Sequence, residues 1–223
     1  ICTSSNIPHI KIPAGFQPRA ALGHLFFNLL NFLLFNFCKI CTLSRTTIEE
    51  QIIADMLEEK GKRYAEPTED NLALNYAKQI YGKIPVVYSS SSILGIVNIR
   101  LRGQIQENSK NLAFGNVLPE MNHNEINSWK FPEEYLDKFF IIYLLDKSDH
   151  PQVKRRITAT QDIVRKSNPN SIILESDEDS LFTRIFDLIY LGDWISYYLA
   201  ILYKQDPTPV PVITEFKKVI SNN

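Results

Sequence analysis

The sequence predicts an α/β fold, a mainly parallel sheet of about five strands with helices on both faces. Three observations predict it. Residues 139–145, FFIIYLL, form a continuous apolar run, the pattern of a strand buried on both faces. Residues 84–88, IPVVY, and 171–175, SIILE, are shorter runs of the same kind. Around them lie segments with helical periodicity, opened by capping residues and closed by glycines.

At 223 residues the chain is long enough for one sizeable domain of this class. Its net charge of −1 offers no basic face for nucleic acid and no attraction to an anionic membrane. Cys38 and Cys41 form a C-x-x-C, but no second Cys or His pair completes a zinc site, and the motif ends an apolar helical run instead of following a strand. With Cys2 they read as plain thiols of a reducing compartment, so a cytoplasmic protein is expected. No Walker motif, G-x-G-x-x-G or H-E-x-x-H is present, and no metal is expected.

Residues 7–13, IPHIKIP, have the pattern of a short strand, and residues 1–14 read as the end of a linker. Pro18 stands where a helix begins. Arg19 at that helix head opposes the macrodipole, so its placement does not serve helix stability; it pairs with a carboxylate or acts in function. Residues 25–37, LFFNLLNFLLFNF, fall short of the about 20 residues of a membrane span. Asn28, Asn31 and Asn36 interrupt them, so the segment reads as a buried core helix. Thr46 with Glu49 makes a capping box before a stripe of Ile48, Ile52, Ile53, Met56 and Leu57. Thr68 opens the next helix, with Leu72, Tyr76 and Ile80 on one face and Gly82 as its stop.

After the strand at 84–88, Ser89 to Ser92 make a hydroxyl-rich turn before a helix. Ser89 and Ser90 are the local candidate anion ligands. The plainer reading is an N-cap with spare serines, since no glycine lets a phosphate approach the backbone. The helix at 93–106 places Ile93, Val97 and Leu101 on one side. Residues 151–166 form a basic-faced, solvated helix, 181–203 a long apolar helix in which Gly192 marks close packing, and 212–220 a last helix holding Lys217 and Lys218.

The run 106–129, QENSKNLAFGNVLPEMNHNEINSW, carries six asparagines among few apolar residues. Buried polar groups without partners cost about 1–3 kcal/mol, so the run is either a solvated loop or a place where polar groups converge on a ligand. Glu107 falls near a helix C-terminus, whose negative dipole end makes a carboxylate more proton-hungry. Asn122, with Glu125 three residues on, caps a new helix and puts His123 in its first turn, which favours neutral imidazole. Such a pair suits general acid–base chemistry; the competing reading is a helix end, a loop and an ordinary cap.

Four phrases add a resemblance. GFQPRAALGHL (15–25), QENSK (106–110), LPEMNHNEI (118–126) and GDWISYYLAILYKQDPTPV (192–210) resemble, in order, the bifunctional phosphoglucose/phosphomannose isomerases of the sugar isomerase (SIS) domain family. The resemblance covers the C-terminal half of such an enzyme. It implies a three-layer SIS domain over 15–223, with the N-terminal SIS half and its phosphate loop outside this chain. It implies interconversion of glucose 6-phosphate, and mannose 6-phosphate, with fructose 6-phosphate through a cis-enediol, without metal or cofactor. Glu107 matches the base and Arg19 the stabiliser of the enediolate. His123 matches a ring-opening histidine donated across a homodimer interface, and Lys217 the ring-opening lysine of the final helix. The half alone is expected to be inactive. The rival reading is a non-catalytic SIS module that binds a sugar phosphate, which would need neither Glu107 nor His123.

Overall fold

The computed structural model describes residues 4–5, 7, 9–37 and 43–221. Cys2, Cys38 and Cys41 lie outside them. The chain divides into two units, Ile1–Asp55 and Met56–Asn223.

In the N-terminal unit, Pro18 opens a 3-10 turn, Pro18–Ala20, ahead of helix α1, Leu22–Phe37. Residues 9–13 are irregular, so the strand expected at 7–13 does not form; two prolines in seven residues remove ladder donors. Helix α1 is not the buried helix its composition suggests, because Leu25, Leu29, Phe32 and Leu33 are exposed. Helix α2, Leu43–Ala65, begins upstream of Thr46, which therefore lies inside the helix and not at its cap.

The second unit holds the sheet. Four strands, β1 (Ile84–Ser90), β2 (Phe114–Leu118), β3 (Phe139–Leu145) and β4 (Ser171–Glu175), lie in the order β2-β1-β3-β4. Every pair is parallel. The described residues hold four strands, where about five are expected. Strand β1 is longer than its apolar run and takes in Ser89 and Ser90.

Alternate residues of each strand feed two cores, as a period of two requires. Val87, Ile142, Leu144 and Leu174 face helices α3 (Leu72–Ile80), α4 (Ile93–Gln104) and α7 (Leu181–Leu202). Val86, Tyr88, Ile141 and Tyr143 face the other way, against Met121, Trp129 and helix α6, Pro151–Val164. Helix α3 is capped by Asn71, whose Oδ1 accepts from Leu74 N at 2.9 Å, in place of the expected Thr68. Gly82, at φ +80°, ends the turn after α3.

Buried polar groups tie α4 to the sheet and α7 to the end of β3. Asn98, 1% exposed, donates to the carbonyls of Val87 (3.0 Å) and Asn116 (3.1 Å) and so ties α4 to β1 and β2. Gly115 of β2 packs beneath it, where a Cβ would collide with the Val87 carbonyl and crowd Asn98 and Arg102. At the far end of β3, Arg184 of α7 grips the buried Asp146 carboxylate with two hydrogen bonds, Nε at 2.7 Å and Nη2 at 3.1 Å. Helix α5 (Glu133–Leu136) and two 3-10 turns complete the β2–β3 crossover. Helix α8, Pro211–Ser221, has no buried residue.

Candidate active site

Helix α4 does not end where its pattern predicts. It passes into a π-helical turn, Ile105–Ser109, that carries Glu107, and closes on Lys110 in the left-handed region at φ 57°. Turns of this kind are rare and recur at functional sites. Ser109 Oγ donates back to the Ile105 carbonyl at 2.6 Å. Lys110 Nζ donates to the carbonyls of Glu107 (2.9 Å), Asn108 (3.0 Å) and Asp206 (2.8 Å). The last carbonyls of the helix thus meet an ammonium, which offsets the negative dipole end expected beside Glu107.

Glu107 lines a cavity of about 440 Å³, together with Gly103, Gln106, Lys110 and residues 210–213 at the start of α8. Two of the four sequence phrases therefore meet here, QENSK and the end of DPTPV, joined by Lys110 and Asp206. Lys217 lies on exposed α8, one turn beyond Ile213. The roles of Gln106, Lys110 and the α8 start escape sequence reasoning, although all lie in or beside a recurring phrase.

His123 is elsewhere. It follows the 3-10 turn Glu120–Asn122 as its cap residue, with its N–H donating to the Glu120 carbonyl at 2.9 Å, and is exposed. The expected cap is displaced. Asn122 donates instead to Thr160 Oγ1 of α6 at 2.7 Å, and Asn124 caps the following turn, Glu125–Ser128. His123 thus lies between two short turns and not over a helix N-terminus. Nor is Glu125 a capping partner: its carboxylate accepts from Tyr88 Oη at 2.5 Å and Asn116 Nδ2 at 2.8 Å. Burial, then the Glu125 carboxylate, pushes the Tyr88 phenol well above its ordinary pKa. Trp129 Nε1 donates to the same hydroxyl at 3.0 Å, so this network fixes the NHNEINSW segment against the sheet.

Topology separates Glu107 from His123. Leu101 and Ile105, leading to Glu107, pack in the core on one face of the sheet; Met121 and Trp129, flanking His123, pack in the core on the other. Helix α4 also runs antiparallel to β1, so Glu107 lies at the N-terminal ends of the strands while His123 follows the C-terminal end of β2. The rise of β2 alone, roughly 15 Å, lies between the two levels.

Ser89 and Ser90 divide. Ser89 is fully buried, donating to the Ser90 carbonyl at 3.0 Å and accepting from Asn98 at 3.2 Å. Ser90 lines a cavity of about 300 Å³ at the C-terminal strand ends, shared with Asp146, Asp149 and His150. Two carboxylates there give it little of the positive charge that a phosphate cradle needs. Arg19 sits, half-buried, in the 3-10 turn of the N-terminal unit.

Residues 69–220 match the model of the bacterial phospho-glucose isomerase C-terminal SIS domain. The chain belongs to this family. Over 214 residues it is 38% identical to a bifunctional phosphoglucose/phosphomannose isomerase of Caldicellulosiruptor bescii, covering 95% of this chain and 62% of that protein. A protein of the same name from Aquifex aeolicus is 35% identical over 213 residues, covering 96% of this chain and 61% of its own length. The chain thus spans about three fifths of these curated relatives. The crystal structure of a glucose-6-phosphate isomerase like protein from Thermus thermophilus superposes with a TM-score of 0.58 at 17% identity, over 72% of this chain and 55% of that one. That likeness shows the fold. The π turn carries Glu107 and the β2–β3 crossover carries His123.

Proposed function

We propose that this chain is the C-terminal half of a phosphoglucose/phosphomannose isomerase, interconverting aldose and ketose hexose 6-phosphates. The observation that carries the reading is the Glu107 carboxylate lining a cavity from a π turn, within the phrase that the family resemblance matches. In the proposed reaction His123 and Lys217 open the sugar ring. Glu107 takes the C2 proton of the open aldose. The C2–H electron pair forms the C1–C2 double bond, and the aldehyde oxygen becomes an enediolate oxygen that Arg19 stabilises. Fixed positive charge at a developing oxyanion is often the largest single catalytic contribution. A proton then passes from the C2 hydroxyl to the enediolate oxygen at C1, and Glu107 returns its proton to C1 as the C2–O bond becomes the ketone carbonyl. Only protons change place, so the reaction requires no redox cofactor. Glucose and mannose phosphates differ at C2 alone, which is planar in the intermediate, so one pocket serves both.

The phosphate anchor is assigned to the N-terminal half, because the serine turn of this chain shares its cavity with two carboxylates. The test is a coupled assay with fructose 6-phosphate on the complete gene product and its Glu107→Gln variant. The variant is expected to lose about 10²–10⁴ in kcat, the usual worth of general acid–base catalysis, with unchanged thermal unfolding. Near-normal turnover would remove Glu107 from the reaction.

A further inference from the structure

Helix α7 holds the π turn on both sides of Glu107. Gln104, 6% exposed, donates Nε2 to Asp193 Oδ1 at 2.8 Å. The other oxygen of Asp193 pairs with Arg100 at 2.7 Å. Asn108 donates Nδ2 to Ser196 Oγ at 2.8 Å, and Ser196, fully buried, donates onward to the Asp193 carbonyl at 2.7 Å. Asp193 and Ser196 are three apart on α7 and therefore share one face. Gln104 and Asn108 bracket Glu107 and do not line its cavity. Gly192 sets the approach of the helices, since a Cβ there would stand 2.9 Å from Leu101 Cδ1.

An i→i+5 turn is wider than an α-turn, and such turns are held by local context. If the turn tightened to α-helical register, residue 107 would rotate relative to Gly103 and leave the wall it shares with α8. Gln104 and Asn108 are fixed at the two ends of that turn by one patch of α7. We infer that Asp193 and Ser196 are positioning residues for Glu107, acting through Gln104 and Asn108 to lock the π register. The phrase GDWIS thereby acquires a role distinct from core packing. The inference rests on the reading of Glu107 as the base.

The test uses Ser196→Ala, Asn108→Ala and the double variant in the complete gene product, with kcat and KM for fructose 6-phosphate and exchange of the substrate's transferred proton with solvent. Each single variant is expected to lower kcat and proton exchange by about ten- to a hundredfold, the scale of an ångström's misplacement, with KM little changed. The double variant is expected to be no worse than the poorer single, because both remove one anchor. Unfolding midpoints identify a variant that fails to fold; Asn108→Ala, at the less buried end, then carries the same expectation. Normal kcat in a folded variant, or losses that multiply in the double, would overturn the inference. Glu107→Gln measured alongside separates the failures. If it is inactive while the anchor variants turn over normally, the positioning role alone is wrong. If it is active, the base assignment fails and the inference with it.

Discussion

Lys217 and Lys218 are neighbours in sequence but about 100° apart around α8. The apolar residues Val212, Ile213, Phe216, Val219 and Ile220 occupy one side of that helix. Lys217 falls four residues after Ile213, which lines the Glu107 cavity, and so borders this side. Lys218 falls four after Thr214, on the opposite side. For the proposed ring opening, the geometry therefore favours Lys217 over Lys218. Lys217→Met is expected to lower kcat/KM for the closed-ring sugar by at least about 10², while Lys218→Met leaves it near normal. Equal losses in both, in the coupled assay, would remove the distinction. At this scale the sequence singles out Glu107 and His123 as candidate acid–base residues, because they sit in polar phrases unsuited to a core. It did not show what holds them. Gln104 and Asn108 find Asp193 and Ser196 across nearly ninety intervening positions, a pairing that no local pattern encodes.

Strands carried by apolar runs were legible, and the strand set in polar sequence was not. Strand β3 spans the very run that predicts it, because both of its faces are core. Strand β2, FGNVL, was hidden inside the polar run. It is an edge strand; Gly115 admits α4 and Asn116 reaches Glu125, so neither residue has the strand propensity that pattern reading relies on. The end of β3 supports a prediction about stability. Burial works against ionised Asp146, but hydrogen bonds from Arg184 and Ser148 prevail and hold its pKa at about 2, below the ordinary 3.8. A carboxyl whose folded pKa is depressed stabilises the fold above its unfolded value and loses that contribution as pH falls through the folded one. Acid unfolding should therefore draw on this pair between 3.8 and about 2. Asp146→Asn should remove that part of the acid transition and cost about 3–5 kcal/mol at neutral pH, because Arg184 is left buried without its counter-charge. Denaturant titrations of both proteins at pH 7 and pH 3 would check this, and a variant as stable as the parent at pH 7 would refute it.

For the whole molecule, the decisive feature is the sheet between Glu107 and His123. One lies on the α4 face at the N-terminal strand ends, the other on the α6 face beyond the C-terminal end of β2. No side-chain rotation brings an imidazole through a packed sheet. If both residues act on one sugar, they come from two chains. A two-fold dimer is the simplest arrangement that does this, because its self-complementary contact supplies each site with the other subunit's histidine. The exposed position of His123, fixed from below by the Tyr88–Glu125–Asn116–Trp129 network, suits a side chain that is offered outward. Subunit mixing tests the arrangement. Homodimers of Glu107→Gln and of His123→Ala are each expected to be inactive. In a heterodimer one of the two sites would combine an intact Glu107 with an intact His123, so purified heterodimers should recover about half of the parent activity per dimer. Heterodimers verified by mass that remain inactive would show that both residues of a site come from the same chain, which the sheet topology forbids unless one of them has no part in catalysis.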